Sequence, residues 1–286
     1  MTTGNESRVG VACVQMNPEV GDKARNVARS VELIERAHGQ GAGLIVLPEL
    51  CNSGYVFESR EEAFALSETL ADGDTIRVWT TLAARLGVTL IAGYAERDGA
   101  ALYNAAAVIG PHGVLGGYRK MHLWGDEHLY FEPGNLGMPV FHTPFGRVAA
   151  AICYDIWFPE VFRMAATSGA DILCVPTNWV PMPAQPAQLP AMANVLAMGG
   201  AHSNGLFVAA ADRVGVERGQ PFLGRSLIVD SQGWPVAGPA SATDEEILVA
   251  TVNLADARRH RQLNGFNHVL RDRRPEVYGD VMRRGG

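Results

Sequence analysis

The sequence predicts an α/β domain, an αββα sandwich in which two mixed sheets lie between layers of helices. Three observations carry that prediction. Short, wholly apolar runs such as Leu44-Ile-Val-Leu47 recur down the chain, the pattern of strands buried on both faces. Stretches with apolar residues at helical spacing separate most of them. The alternation continues to about residue 253 with neither a linker nor an internal repeat, so residues 1–253 are expected to form one domain and residues 254–286 a C-terminal extension.

Val9–Met16 is the first expected strand. Lys23–His38 follows as a helix with Ala24, Val27, Val31, Ile34 and Ala37 on one face, ended by Gly39, Gly41 and Gly43. Leu44–Leu47 is a buried strand. Thr75–Leu86 carries Ile76, Trp79, Leu82, Ala83 and Leu86 at helical spacing and stops at Gly87; Val88–Tyr94 is the next strand. Ala101–Ile109 and Val114–Tyr118 flank Gly110-Pro-His-Gly113, which reads as a hairpin turn. Arg147–Cys153 is another buried strand, and Pro159–Ser168 a helix with proline at its first position and Gly169 beyond its end. Ile172–Val175, Phe207–Ala211, Leu227–Asp230 and Ile247–Val252 complete the strands, with a helix over Met192–Ser203. Pro181-Met-Pro-Ala-Gln-Pro186 reads as a loop over a site rather than a domain boundary.

Composition narrows the class of function. A chain of 286 residues that is 47% hydrophobic and 19% charged can bury a large core. Its net charge of −6, with acids and bases interspersed, argues against nucleic acid as a partner, because such proteins concentrate basic residues on one face. The one basic cluster (Arg258, Arg259, Arg261, Arg271, Arg273, Arg274, Arg283 and Arg284) is mixed with acids and reads as a solvated or subunit-contacting tail. No window approaches the ~18 apolar residues of a membrane span, and the N-terminal apolar run is too short for a signal peptide. Cys13, Cys51, Cys153 and Cys174 are far apart with no CxxC pair, so free thiols in a reducing cytoplasm are expected.

Three reactive residues stand where a plain core would not put them. Glu49 follows the buried run ending at Leu47, Lys120 lies just past the hairpin strand, and Cys153 ends the apolar run Val148–Ile152 before the turn into the helix at Pro159. Ligands gather at the C-terminal ends of strands in open α/β sheets, which would bring the three together. A thiol attacks only as thiolate and needs a base or a positive charge beside it; Glu49 and Lys120 would supply both. Context alone leaves plainer readings open: a cysteine in an apolar strand is first a small hydrophobe, a glutamate caps a strand-end turn, and a lysine solvates an edge. Cys13 and Cys174 fit the hydrophobe reading. Other chemistries lack their motifs. Ala201-His-Ser-Asn-Gly205 misses the first glycine of a serine-hydrolase elbow, no phosphate-binding or dinucleotide loop occurs, and His122 and His128 are too irregularly spaced for a metal site. No cofactor or metal is expected.

Leu47-Pro-Glu-Leu50 after an apolar strand, Tyr118-Arg-Lys-Met-His-Leu123 after a hairpin, and Ile152-Cys-Tyr-Asp155 with Phe158-Pro-Glu160 together resemble the three signature motifs of the nitrilase superfamily of carbon–nitrogen hydrolases, in the family's order. The resemblance runs from about Val9 to Asn253, with supporting matches at Phe131-Glu-Pro-Gly134, Gly169-Ala-Asp171, Pro176-Thr-Asn178, Arg225-Ser226 and Asp230-Ser-Gln-Gly233. It implies a Glu49–Lys120–Cys153 triad: Cys153 attacks the carbonyl carbon, Lys120 and the Tyr154 amide hold the oxyanion, and Glu49 moves the protons. It implies a second glutamate, Glu127, that positions substrate, with Glu132 the rival inside Phe-Glu-Pro-Gly. Tyr55, Trp157, Asn178 and Trp179 are expected to line the pocket, alongside Tyr154. It also implies a homodimer or larger even-numbered assembly, paired through the helix after the nucleophile, with the C-terminal extension at the subunit interface.

The branch follows from the turn after Cys153. True nitrilases usually continue with tryptophan and glutamate; Tyr154-Asp155 is similar to the amidase and carbamoylase branches, and Trp157-Phe-Pro-Glu160 to N-carbamoylputrescine amidases. D-Carbamoylases and ω-amidases carry an arginine here for a substrate carboxylate; Ile156-Trp157 offers none, and Arg163 is expected to face away. The expected substrate is a small neutral aliphatic amide, hydrolysed with water to acid and ammonia. The alternatives are an N-carbamoyl compound, a nitrile, or an inactive binding protein on the same fold.

Overall fold

Runs that are apolar at every position satisfy both of their faces only between two layers, and the structure places them there. The computed structural model describes residues 8–183, 185–186 and 188–282, so Arg283 and Arg284 of the basic cluster lie outside the described residues. In chain order the first half comprises β1 (Val9–Gln15), α1 (Lys23–Gly39), β2 (Ala42–Val46), α2 (Arg60–Leu66), α3 (Asp74–Leu86), β3 (Thr89–Asp98), β4 (Ala101–Gly110), β5 (Gly113–Arg119) and α4 (Glu127–Tyr130). The second comprises β6 (Val140–Thr143), β7 (Gly146–Ala150), α5 (Pro159–Thr167), β8 (Ile172–Pro176), α6 (Met192–Asn204), β9 (Phe207–Ala211), β10 (Val216–Glu217), β11 (Gln220–Pro221), β12 (Leu227–Val229), β13 (Pro235–Ala237), β14 (Glu246–Val252), α7 (Asp256–His260) and α8 (Pro275–Met282).

Two six-stranded sheets form, ordered β14-β1-β2-β3-β4-β5 and β13-β12-β9-β8-β7-β6. Each has a parallel centre, β1-β2-β3 in one and β7-β8-β9 in the other, with antiparallel strands at its edges. Side chains of β1 and β2 alternate as pleating requires. Val11, Cys13, Leu44 and Val46 face the second sheet, while Ala12, Val14, Ile45 and Leu47 face α1 and α3. The helices α5 and α6 cover the other side of the second sheet, which completes the αββα sandwich.

Several expectations shift. The buried stripe of α1 runs through Asn26, Ser30, Leu33, Ile34 and Ala37, and Ala24 is exposed. Two of those positions are polar because each has a partner: the Asn26 amide donates to the Glu19 and Asn52 carbonyls, and the Ser30 hydroxyl accepts from the Trp79 indole. The strand expected to run to Cys153 ends at Ala150, and Cys153–Trp157 form a 3-10 turn. The helix α2 was not foreseen, although Ser59, whose hydroxyl accepts from the Glu62 amide, caps it. The basic tail also starts later than its charge suggested. Leu254 and Ala257 are buried in the core, Arg258 pairs with the buried Asp171, and Arg261 donates to the Ala170 carbonyl.

Candidate active site

The C-terminal ends of the parallel centres of the two sheets meet at one place, and each reactive residue reaches it by a local device. Glu49 sits three residues beyond β2, in a turn held against β3 by hydrogen bonds from the Gly93 amide to the Pro48 carbonyl and from the Cys51 amide to the Gly93 carbonyl. The fit leaves no room at Gly93: a Cβ there would lie 2.5 Å from the Glu49 Cα. At the end of β5, successive residues diverge. Arg119 turns to Glu96 and Asp98 and stacks over Tyr103, while Lys120 turns inward. The Lys120 backbone is clamped between the Asn104 carbonyl and the Gly134 amide, at 2.8 Å each.

The charged groups are buried together. The Lys120 ammonium donates to Glu49 Oε1 and Glu127 Oε1, each at 2.6 Å. The Asn104 amide donates to the same Glu49 oxygen at 2.6 Å, and the Tyr55 hydroxyl to the same Glu127 oxygen at 2.7 Å. The second oxygens, Glu49 Oε2 and Glu127 Oε2, are buried with no partner among the described residues. An unmet buried acceptor costs free energy unless a ligand or water completes it. Glu132, the rival, lies on the surface beside Arg60.

Electrostatics follow from this packing. Burial raises the Glu49 carboxyl to about 7, Glu127 adding to the rise and Lys120 and Asn104 opposing it. Burial pulls the Lys120 ammonium down, but the two carboxylates more than offset it and its affinity for the proton exceeds the usual lysine value. Burial also lifts the Cys153 thiol well above its ordinary value; Glu49 adds to this and Lys120 opposes it. The net effect of this packing is to disfavour the thiolate of Cys153.

Cys153 opens the 3-10 turn with φ at +47, in the left-handed region that residues with a Cβ avoid. Cys153 lines a narrow cavity of about 20 Å³ together with Trp124, Tyr154, Trp157, Asn178, Trp179, Val180 and Met182. A second chamber of about 230 Å³ shares Trp124 and Val180 as walls and contains Tyr55, Asp126, Glu127 and Tyr130. Asn178 ties the sheets together, donating to the Glu49 carbonyl at 2.9 Å. The structure thus brings together Glu49, Lys120, Glu127, Cys153, Tyr55, Tyr154, Trp157, Asn178 and Trp179. Arg163 points elsewhere, to the Val269 and Ser203 carbonyls. Sequence reasoning missed Asn104, Trp124 and Met182; only Asn104, a lone amide inside an apolar strand, left a signal.

The carbon-nitrogen hydrolase family matches residues 10–262 of the chain. A nitrilase of Pyrococcus abyssi is 43% identical, covering 94% of this chain and 99% of its own. N-carbamoylputrescine amidase of Arabidopsis thaliana is 34% identical over 100% of this chain and 99% of its own. Among solved structures, a carbon-nitrogen hydrolase from Helicobacter pylori superposes with a TM-score of 0.86 at 30% identity, covering 98% of this chain and 99% of that one. An amidase of the nitrilase superfamily from Nesterenkonia superposes at 0.79 with 26% identity over 98% and 100%; a further structure of that amidase has acrylamide added at its active-site cysteine. Motif order, paired sheets and whole-chain similarity agree: the chain belongs to the carbon-nitrogen hydrolase family, the nitrilase superfamily, and is a hydrolase acting on carbon–nitrogen bonds.

Proposed function

We propose that this amidase hydrolyses small neutral aliphatic amides through a thioester on Cys153. The Cys153 sulfur attacks the carbonyl carbon while Glu49 takes the thiol proton. Lys120 and the Tyr154 amide stabilise the oxyanion; collapse breaks the C–N bond, and Glu49 returns the proton to the departing ammonia. Water then attacks the thioester, giving its proton to Glu49, and the acid leaves as the thiol is restored. Glu127, held by Lys120 and Tyr55, positions the substrate.

The observation that carries the choice of substrate is the lining. Among the described residues that wall the two chambers there is no arginine, lysine or histidine, and the nearby Lys120 is already shared by two carboxylates. A substrate carboxylate would be buried without a cation, at a cost of several kcal/mol. The aromatic walls suit a short acyl chain instead. Similarity to N-carbamoylputrescine amidase supports a second reading, a ureido compound with a free amine, which the exposed carboxylate of Asp126 in the second chamber favours.

Comparing kcat/KM for butyramide, succinamate and an N-carbamoyl diamine tests both. Butyramide is expected to exceed succinamate by at least about tenfold, the effect of ~1.4 kcal/mol in transition-state binding. Preference for succinamate would sink the first reading. A diamine derivative that outpaces butyramide, and loses that lead in Asp126→Asn, would establish the second.

A further inference from the structure

Asp155 is fully buried two residues past Cys153, and no step of the reaction above uses it. Its carboxylate nevertheless gathers contacts from two directions. Oδ2 accepts from the Ile152 amide at 2.9 Å and from the Tyr118 hydroxyl at 2.6 Å. Oδ1 accepts from the His122 amide at 3.0 Å and lies 2.8 Å from His122 Nδ1. Phe158 stacks on the His122 ring with centroids 3.7 Å apart, which fixes the ring.

The sequence positions of these donors give the arrangement its meaning. Ile152 immediately precedes Cys153, and Tyr118 and His122 stand two residues before and two residues after Lys120. The thiol follows β7 of one sheet and the ammonium follows β5 of the other. One side chain thus ties the segment bearing the thiol to the segment bearing the ammonium, from both sides of the lysine. Cys153 also has an unfavourable backbone torsion that its surroundings must hold.

We propose that Asp155 is a positioning residue that sets the spacing between Cys153 and Lys120, so that the oxyanion formed by attack of the thiol falls within reach of the ammonium. The inference rests on the roles proposed above for those two residues. Asp155→Asn keeps the volume but replaces an acceptor oxygen with a donor that faces other donors, either the Ile152 amide and Tyr118 or His122.

The experiment expresses kcat per Cys153 titrated by iodoacetamide, which separates positioning from loss of folded protein. In Asp155→Asn, kcat per titrated site is expected to fall at least about tenfold while KM changes less than about threefold, as for a group misplaced in the transition state. A smaller fall, or a loss carried by KM, overturns the proposal. Where Asp155→Asn yields no folded protein, Tyr118→Phe decides by the same readout: kcat per site should drop at least about threefold on removal of one bond, and a smaller change overturns it. Cys153→Ala is assayed alongside. Turnover retained there overturns both the thiol mechanism and this inference, whereas an inert Cys153→Ala beside a fully active Asp155→Asn overturns the positioning role alone.

Discussion

Two carboxylates share one ammonium in the buried cluster, so the proton at Glu49 responds to the charges of Lys120 and Glu127. In the proposed mechanism Glu49 must be ionised to accept the thiol proton, and burial with Glu127 nearby lifts its carboxyl to about 7. The sign follows: the alkylation rate of Cys153 should rise with pH through a midpoint near 7, as the base form of Glu49 appears. Glu127→Gln removes a negative charge that disfavours ionised Glu49, so the limb should move to lower pH. Iodoacetamide alkylation followed across the neutral range reads both without turnover; a limb unmoved by Glu127→Gln would show that the Glu127 charge does not govern Glu49. Glu49 and Lys120 were legible because strand ends and ordered motifs mark them, and Glu127 from its place shortly before Phe131-Glu-Pro-Gly134. Asn104 left only its lone amide in an apolar strand as a signal, and the role of Asp155 left none, because their contacts cross from one strand or sheet to another.

Elements, in turn, aim side chains through their backbones. The close approach of β3 to the Glu49 turn depends on the missing side chain of Gly93. Gly93→Ala would force the two backbones apart, an overpacking cost of about 1–3 kcal/mol. A displacement of ~1 Å at Glu49 would lower kcat about a hundredfold. A reduced urea midpoint together with that loss is expected; parental kcat would show that the turn tolerates the shift. The buried strands were legible because apolar runs bounded by glycine and proline have few other uses. What escaped was short or polar. The helix α2 has seven residues and one buried side chain, Ala63, so periodicity is silent there and only the Ser59–Glu62 cap speaks for it. The apolar pattern of α1 marked Ile34 and Ala37 on its buried face but not Asn26 and Ser30, which satisfy their polar groups internally.

Across the whole molecule, the site is complete only when both sheets are in place, since Glu49 and Lys120 follow strands of one and Cys153 and Asn178 follow strands of the other. Loosening the sandwich should therefore abolish activity before it abolishes secondary structure. The helices α5 and α6 leave Met164, Met192 and Val195 open to solvent in the single chain. We propose that this face pairs with a second copy, giving a homodimer or a larger even-numbered assembly, with the exposed part of the C-terminal extension at the interface. Light scattering at micromolar concentration should report at least twice the mass of the chain, and a monomer there would remove the proposal.

The left-handed torsion at Cys153 has a meaning outside chemistry. A glycine would hold that torsion without the ~1–2 kcal/mol that a Cβ imposes, an appreciable share of the margin by which proteins stay folded. Under the thiol mechanism proposed above, sulfur at this position serves turnover at the expense of that margin. The torsion marks a point in the chain where stability and reactivity are in direct competition.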